Sequence, residues 1–177
     1  DSSCKSIVLS KHSNLGPIDP QIAGIPAAAV KEEFEEAIRQ IRIDQSRLAA
    51  WQFILSKYTP TYLASCENAV RWSKEFVKRE LVANMLSDRP AMEADTIADD
   101  IVNRLSDFSG NKSHNRHIHV DECEAMHLKI ERLEADPDLQ DKVLTVHHCF
   151  MHTFGNSSAI KIVENQDGTA FMKQVAQ

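Results

Sequence analysis

Apolar residues at helical spacing run through most of this chain, and they restrict its fold more than any other sequence feature. Between Pro26 and Phe108 they form four successive stripes, separated by polar and charged residues. Such stripes are typical of amphipathic helices that bury one face. The stripes are Val30, Phe34, Ala37, Ile38 and Ile41; Leu48, Trp51, Phe53, Ile54 and Leu55; Leu63, Val70, Val77, Leu81, Val82 and Met85; and Ile97, Ile101, Val102, Leu105 and Phe108. The sequence therefore predicts a predominantly helical chain.

Local signals predict where these helices begin and end. Pro26 suits a first helical turn. Asp44 is a candidate N-cap, so the second stripe either restarts there or continues the first helix. Thr59-Pro60 ends the second stripe, and Asp88-Arg89-Pro90 is a turn. Gly110 is well placed to end the fourth helix.

The two ends of the chain carry strand signals. Residues 6–9 form a short apolar run that fits a buried strand. Near the other end, Asp167-Gly168 lies between the apolar runs 159–163 and 170–172, which is a hairpin signal. We also expect a polar, irregular segment over 111–119, a short helix from Asp121 to about His127, and a strand end at 128–130.

A last helix is predicted to begin at Asp136-Pro137, with an N-cap followed by proline at the first helical position. Gly155 ends it. Its apolar stripe consists of Leu139, Val143, Val146, Phe150 and Phe154.

Composition excludes several classes of protein. The chain has 177 residues, enough for one domain with a real core, and five glycines, too few for the repeated turns of an all-β barrel. A net charge of −6 argues against nucleic-acid binding. The longest stretch without Asp, Glu, Lys or Arg, Val143 to Ile160, contains three histidines, so no membrane span is expected.

The chain begins without methionine or a leader, and we expect a processed product or fragment of a cytoplasmic protein.

The four cysteines form no Cys-x-x-Cys pair, which indicates reduced and mostly buried thiols. The eight histidines include two clusters. His148 and His152 lie four apart on the last helix, and His114, His117 and His119 lie in the polar segment. A metal site would need a third ligand, which no His-Glu-x-x-His pattern supplies. Interface or solvated histidines are the more frequent case.

The segment from Lys11 to Gln21 contains two prolines and a glycine, so it forms a structured loop. No Gly-x-Ser-x-Gly, Walker A or Gly-x-Gly-x-x-Gly motif is present. Residue types and spacing alone therefore predict only a helix-rich cytosolic domain, with no implied cofactor or metal.

The strand Ser6-Ile7-Val8-Leu9 and the loop Lys11-His12-Ser13-Asn14-Leu15-Gly16-Pro17-Ile18-Asp19-Pro20-Gln21 resemble the serine dehydrogenase proteinase family. These are Clp-fold serine proteinases related to the ClpP proteases. Asn115-Arg116-His117-Ile118, Glu122-Cys123-Glu124-Ala125 and Leu128 resemble the family's late polar loop and short helix, which usually end in Gly-Leu. His127 stands where the family has that glycine. Segments 146–154 and 161–165 are similar to its C-terminal region.

The resemblance implies an α/β fold of the ClpP/crotonase type, here mostly helical, with a short N-terminal strand and a C-terminal hairpin. Residues 1–135 would be the C-terminal part of the peptidase domain, and residues 136–177 a helix-and-hairpin extension. It also implies a homo-oligomer that hydrolyses peptide bonds in peptide or unfolded-protein substrates, without ATP, through an activated serine.

In this superfamily the nucleophilic serine opens a helix before the strand that matches Ile7–Leu9, so we expect it upstream of Asp1. The loop after that strand is where ClpP proteases place their histidine base. The candidates here are Asp19 and His12, while Asn115 falls near the triad acid and would orient a base. A Ser–Lys arrangement stays open, with Lys11 near the loop. Two alternatives are a non-catalytic oligomerisation or interaction module, and a metal-binding protein that uses the histidine clusters.

Overall fold

A computed structural model describes residues 4–107 and 117–175. The chain divides into two compact units, Asp1–Glu131 and Arg132–Gln177. The described residues form a mixed α/β structure that is mainly helical, with three two-stranded sheets. The predicted helical class with small sheets is confirmed at that level.

The first unit contains most of the elements. In chain order they are β1 (Ile7–Leu9), β2 (Gln21–Ile22), β3 (Ile25–Pro26), α1 (Ala27–Ile43), a 3₁₀ turn (Gln45–Arg47), α2 (Leu48–Leu55), α3 (Tyr62–Glu80), a π-helical turn (Leu81–Met85), α4 (Ala91–Leu105), α5 (Val120–Ala125) and β4 (Ile130–Arg132). The predicted end of the fourth helix at Gly110 lies outside the described residues.

The predicted first strand is confirmed. Ile7 and Leu9 are buried while Val8, on the opposite face, is exposed, as the two-residue period of a strand requires. β1 is paired with β4, and the Ile7 amide donates to the carbonyl of Lys129 at 2.9 Å. Because β1 is paired with β4, the point at which the following loop leaves β1 is fixed.

The main core lies around β1, α4, α5 and the end of α3. Its largest fully buried side chains include Ile101 of α4 and Ile118 before α5. The core residues are Ile7, Leu9, Leu81, Met85, Leu86, Ala94, Ala98, Ile101, Val102, Leu105, Ile118, Val120, Cys123, Met126 and Leu128. The predicted stripe of α4 is therefore the buried face of this unit.

A smaller cluster joins α1 to α3. Ala27 and Val30 pack with Cys66, and all three are at most 1% exposed. Phe34 and Tyr58 lie against the cluster, with ring centroids 5.3 Å apart. Burial extends along α1 only as far as Ala37, so the later part of its predicted stripe, including Ile38, faces solvent.

Asp44 separates α1 from α2. Of the two predicted alternatives, the helix that restarts near Asp44 is therefore correct, and the continuous helix is wrong. Its backbone is extended (φ −145°), and its Oδ1 accepts from the amide of Ser46 at 3.0 Å. The hydrogen bond from the Ser46 hydroxyl at 2.7 Å, followed by the one from this amide, lowers the pKa of the Asp44 carboxyl. An N-cap side chain favours the break because it satisfies an amide that has no helical partner.

The short helix α5 ends in a Schellman motif. His127 has φ +64°, its amide donates to Glu124 O at 2.9 Å, and the amide of Leu128 donates to Cys123 O at 3.2 Å. Leu128 then enters the core. This ending normally uses glycine at the left-handed position, because a Cβ atom there is strained.

The second unit contains a 3₁₀ turn (Leu133–Ala135), α6 (Pro137–Gly155), β5 (Ala159–Glu164) and β6 (Ala170–Gln174). Asp136 caps α6 as predicted, since its side chain accepts from the Leu139 amide at 3.0 Å. β5 and β6 form the predicted antiparallel hairpin, with Val163 opposite Phe171.

The predicted last helix is confirmed as α6, but its apolar stripe is not buried. No residue of α6 is buried, and Val146 keeps 55% of its surface exposed. Helical spacing identifies a shared face, but burial requires a second layer of structure over that face.

Candidate functional site

The loop between β1 and β2 is held by backbone hydrogen bonds from both sides. The Leu15 amide donates to Ile118 O at 2.9 Å, and the Ile118 amide donates back to Leu15 O at 3.1 Å. The Ile18 amide donates to Leu105 O at the end of α4, at 2.9 Å. Two prolines, Pro17 and Pro20, limit its backbone freedom further. A fixed loop of this kind can position side chains for binding or catalysis.

His12 lies in a tight turn where the loop begins. The Ser13 amide donates to Ser10 O at 2.9 Å, and the His12 amide donates to the Ser10 hydroxyl at 3.2 Å. The hydroxyls of Ser10 and Ser13 are 3.1 Å apart. The His12 side chain is exposed, so it is accessible to a group outside this turn.

Asp19 lies at the other end of the loop, between Ile18 and Pro20. Its side chain is partly buried, and its Oδ1 atom is out of contact with solvent. The carbonyl of Pro20 then accepts from the Ala27 amide at 2.9 Å, which ties the loop to the start of α1. The backbone next to Asp19 is thereby fixed, which limits the positions that its carboxylate can reach.

The structure thus places His12 and Asp19 on one fixed loop, with His12 in its exposed first turn and Asp19 in its partly buried end. The third candidate, Asn115, lies outside the described residues. The Leu15–Ile118 bridge brings the last residues of the polar segment beside this loop. The catalytic roles of all three residues stay predictions.

Sequence reasoning did not single out the Ser10–Ser13 hydroxyl pair or a charged depression at the ends of α4 and α5. The depression has a volume of about 360 Å³ and is lined by Arg104, Asp107, Glu122, Ala125 and Met126. The Arg104 guanidinium is 2.9 Å from Asp100 on the preceding helical turn.

A sequence signal for the Ser10–Ser13 hydroxyl pair was present. Two serines three positions apart, directly after a strand, are typical of a turn.

The histidine clusters do not assemble a metal site within residues 4–107 and 117–175. No three donor side chains in that part of the chain are placed to hold an ion. His148 and His152 do share one face of α6, where Cys149 lines the same shallow depression of about 480 Å³. His117 and His119 are exposed, and His114 lies outside the described residues.

The cysteines carry no disulfide, and all four lie in the described residues. Cys66 and Cys123 are buried as predicted, but Cys149 is exposed. Burial raises the pKa of the Cys66 thiol. Burial, with the nearby Glu122 and Glu124, raises the pKa of Cys123. Both buried thiols are therefore neutral near pH 7 and poor nucleophiles.

Comparison with protein-family models, with curated proteins and with solved structures found no match to this chain. In the described residues, no helix is both long enough and apolar enough to cross a bilayer.

Proposed function

We propose that this chain is part of a cytoplasmic serine peptidase of the Clp fold, which hydrolyses peptide bonds without ATP. The observation that carries the proposal is the loop from Leu15 to Pro20. It follows a buried strand, it is held by hydrogen bonds at both ends, and it presents a partly buried Asp19. These are the properties expected of a loop that carries part of a catalytic arrangement.

The end of α5 gives separate support to the family resemblance. The family usually has Gly-Leu at this point, and the two positions here are His127 and Leu128. His127 adopts the left-handed conformation that favours glycine, and Leu128 occupies the buried position that follows it in a Schellman motif. The backbone therefore has the shape that the family's Gly-Leu pair would favour, although the sequence has histidine.

In the proposed mechanism, a serine on a segment upstream of Asp1 attacks the peptide carbonyl. A base removes the serine proton and returns a proton to the leaving amine, and water then hydrolyses the acyl-enzyme. His12 is the candidate base, and Asp19 is the candidate group that faces the serine or orients that base. Asn115 would orient a base through its side-chain amide.

The same proposal includes the ClpP/crotonase architecture and a homo-oligomer. Residues 1–135 would belong to the peptidase domain, and residues 136–177 to its extension. The boundary between the two compact units, which lies between Glu131 and Arg132, is close to that division.

The test compares the 177-residue chain with the product of the complete reading frame that contains it, which this proposal expects to be longer. Both are treated with a fluorophosphonate probe and weighed intact by mass spectrometry. We expect one adduct per chain on the longer protein and none on the 177-residue chain. A longer protein that gains no adduct and cleaves no unfolded substrate contradicts the proposal.

Variants of the longer protein then assign the roles. His12→Ala and Asp19→Asn should each lower the rate of peptide hydrolysis by about a hundredfold or more if the residue serves the serine. His152→Ala and Asp167→Asn make the same chemical changes in the second unit and should leave the rate unchanged. A wild-type rate in both loop variants would remove these residues from the site.

A non-catalytic interaction module is the second candidate, and the exposed apolar surface of α6 and the hairpin favours it. Val146, Met151, Val163 and Phe171 each keep more than half of their surface exposed. Isolated surface side chains of this type are common, but several on one small unit indicate a binding surface. Light scattering that shows a monomer, together with the absence of any binding partner, would contradict this candidate.

A further inference from the structure

Helix α2 is apolar on all sides and yet has no buried residue. Its sequence, Leu-Ala-Ala-Trp-Gln-Phe-Ile-Leu, contains one polar side chain, Gln52. Phe53 is 68% exposed and Leu48 is 45% exposed. A helix that is apolar all round normally lies inside a protein core or in lipid. Its surroundings in the described chain therefore do not account for its composition.

The helix is held rigidly against the end of α1. The Gln40 Oε1 atom accepts from Arg47 Nη1 at 3.0 Å and from Trp51 Nε1 at 3.1 Å. Asp44 caps the turn between the two helices. At the same end of α1, Ile38 and Ile43 are 52% and 81% exposed. Residues 38–57 thus form one structured apolar tip, here called the α1–α2 tip.

Charge is segregated along this helix pair. Residues 36–57 contain four basic residues, Arg39, Arg42, Arg47 and Lys57, against the two acids Glu36 and Asp44, a net charge of +2. Arg39 is ion-paired with Glu36, and Arg47 with Asp44. Residues 31–35 carry one lysine and three glutamates, a net charge of −2. The tip is therefore basic in a chain whose net charge is −6.

We propose that the α1–α2 tip docks on an anionic lipid surface. Its apolar side chains would enter the boundary between headgroups and acyl chains, while Arg42 and Lys57 contact lipid phosphates. Eight residues of helix span about 12 Å, too short for a bilayer core of about 30 Å, so α2 would lie in the interface.

Lipid fits the tip better than a protein partner for two reasons. A protein surface covers one face of a helix, whereas the headgroup boundary can surround the exposed faces of α2. The tip also combines basic side chains with the indole ring of Trp51, an aromatic group that is enriched at membrane interfaces. A second copy of the chain carries the same net positive charge at its tip and would repel it.

The two tryptophans of the chain provide the experiment. Trp72→Phe leaves Trp51 in the tip as the only tryptophan, and Trp51→Phe leaves Trp72, which is 60% exposed on α3. Each protein is mixed with phosphatidylcholine vesicles that contain or lack phosphatidylserine. With phosphatidylserine, we expect the Trp51 emission to shift to the blue and to be quenched by brominated lipids. The Trp72 emission should be unchanged by vesicles of either composition.

Two pairs of variants test the apolar and charged contributions. Phe53→Ser should weaken vesicle binding, while Phe76→Ser should not. The two phenylalanines are matched, because each is exposed on a helix and each lies near a cation, Lys57 at 4.6 Å and Arg79 at 5.2 Å from the ring. Arg42→Gln with Lys57→Gln should lower the affinity about 25-fold, at about fivefold per charge.

Two outcomes would overturn the proposal. One is a Trp51 emission that is unchanged by vesicles containing phosphatidylserine. The other is a Trp51 blue shift that appears without lipid as the protein concentration rises, in parallel with dimers in light scattering. The second result would assign the tip to another copy of the chain. Neither result depends on peptidase activity.

Discussion

Tyr58 is a residue whose ionisation depends strongly on its neighbours. Its hydroxyl donates to the Glu33 carboxylate, and its ring packs against Phe34 and Tyr62. The hydrogen bond to Glu33, followed by burial and the glutamate charge, raises the pKa of Tyr58 to about 12 from 10.0. The pKa of Tyr58 is higher in the folded protein than in the unfolded chain. The contribution of this hydrogen bond to the free energy of unfolding is therefore complete below pH 10 and is lost as the pH rises toward 12.

The first prediction concerns that hydrogen bond. In a Tyr62→Phe background, phenolate absorbance reports Tyr58 alone, since the chain has two tyrosines. We expect a midpoint near pH 12, and Glu33→Gln should move it toward 10.0 because the negative charge is removed. Glu32→Gln, at the exposed neighbouring position, should leave the midpoint unchanged. An equal midpoint in the Glu33→Gln protein would contradict this assignment.

The second prediction concerns His127, the residue at the left-handed position after α5. Its φ of +64° is strained for a side chain with a Cβ atom. His127→Gly should therefore raise the free energy of unfolding by about 1 kcal/mol, measured by urea denaturation. The same change inside α6, His147→Gly, should lower it by roughly 0.3–0.5 kcal/mol, because glycine is a poorer helix former than histidine. A destabilised His127→Gly protein would show that the imidazole makes a contact that outweighs the strain.

At the scale of the element, α6 depends on its cap more than on burial, because no residue of the helix is buried. Asp136→Ala removes the acceptor of the Leu139 amide. We expect the second unit to lose about 1 kcal/mol of stability and the first turn of α6 to fray, as seen by circular dichroism and hydrogen exchange. Asp138→Ala, inside the same turn, changes only the charge near the helix dipole and should cost a few tenths of a kcal/mol. Equal effects of the two changes would rule out the capping role.

The hairpin depends on the backbone of its turn. Gly168 has φ +75°, and its amide donates to Asn165 O at 3.1 Å. A Cβ atom there meets nothing within 4 Å, so Gly168→Ala tests conformation alone, and it should cost about 1–2 kcal/mol in thermal or urea unfolding.

Gly155 is the matched control, because an added Cβ atom there also meets nothing within 4 Å and its φ is not left-handed. Gly155→Ala should stabilise the protein by about 0.5–1 kcal/mol, since alanine is the better helix former. Stabilisation by both changes would contradict the predicted strain at Gly168.

At the scale of the whole molecule, the two units differ in how much they bury. α4 in the first unit has five buried residues, whereas the second unit buries Leu133 and Ala159 among its described residues. Local opening is easiest where few apolar contacts are lost. We expect the amides of α6 and of the β5–β6 hairpin to exchange with deuterium faster than those of α4, measured by mass spectrometry. Equal protection in the two units would indicate that they unfold together.

Much of the secondary structure was predictable from neighbouring residues. Asp44 and Asp136 mark helix starts, and Asp167-Gly168 marks a hairpin, because each acts on amides or φ angles a few residues away. The turn between β2 and β3 was not predicted. It uses Ala23 and Gly24, both with positive φ, and alanine gives no signal for that conformation.

For the candidate site, the sequence alone identified the loop and its candidate residues, and the structure added how the loop is held. The bonds from Leu15 to Ile118 and from Ile18 to Leu105 join positions that are distant in the sequence. No local pattern encodes them, because hydrogen-bond partners of a loop backbone depend on which elements pack beside it.

The sequence by itself determined where the longer helices, the first strand and the C-terminal hairpin form, and which apolar residues share a face. Only the tertiary structure decided which of those faces is covered. The stripes of α4 and α6 have the same helical period, yet Ile101 is fully buried and Val146 is 55% exposed. Periodicity follows from backbone geometry within one element, whereas burial depends on the other elements that pack on it.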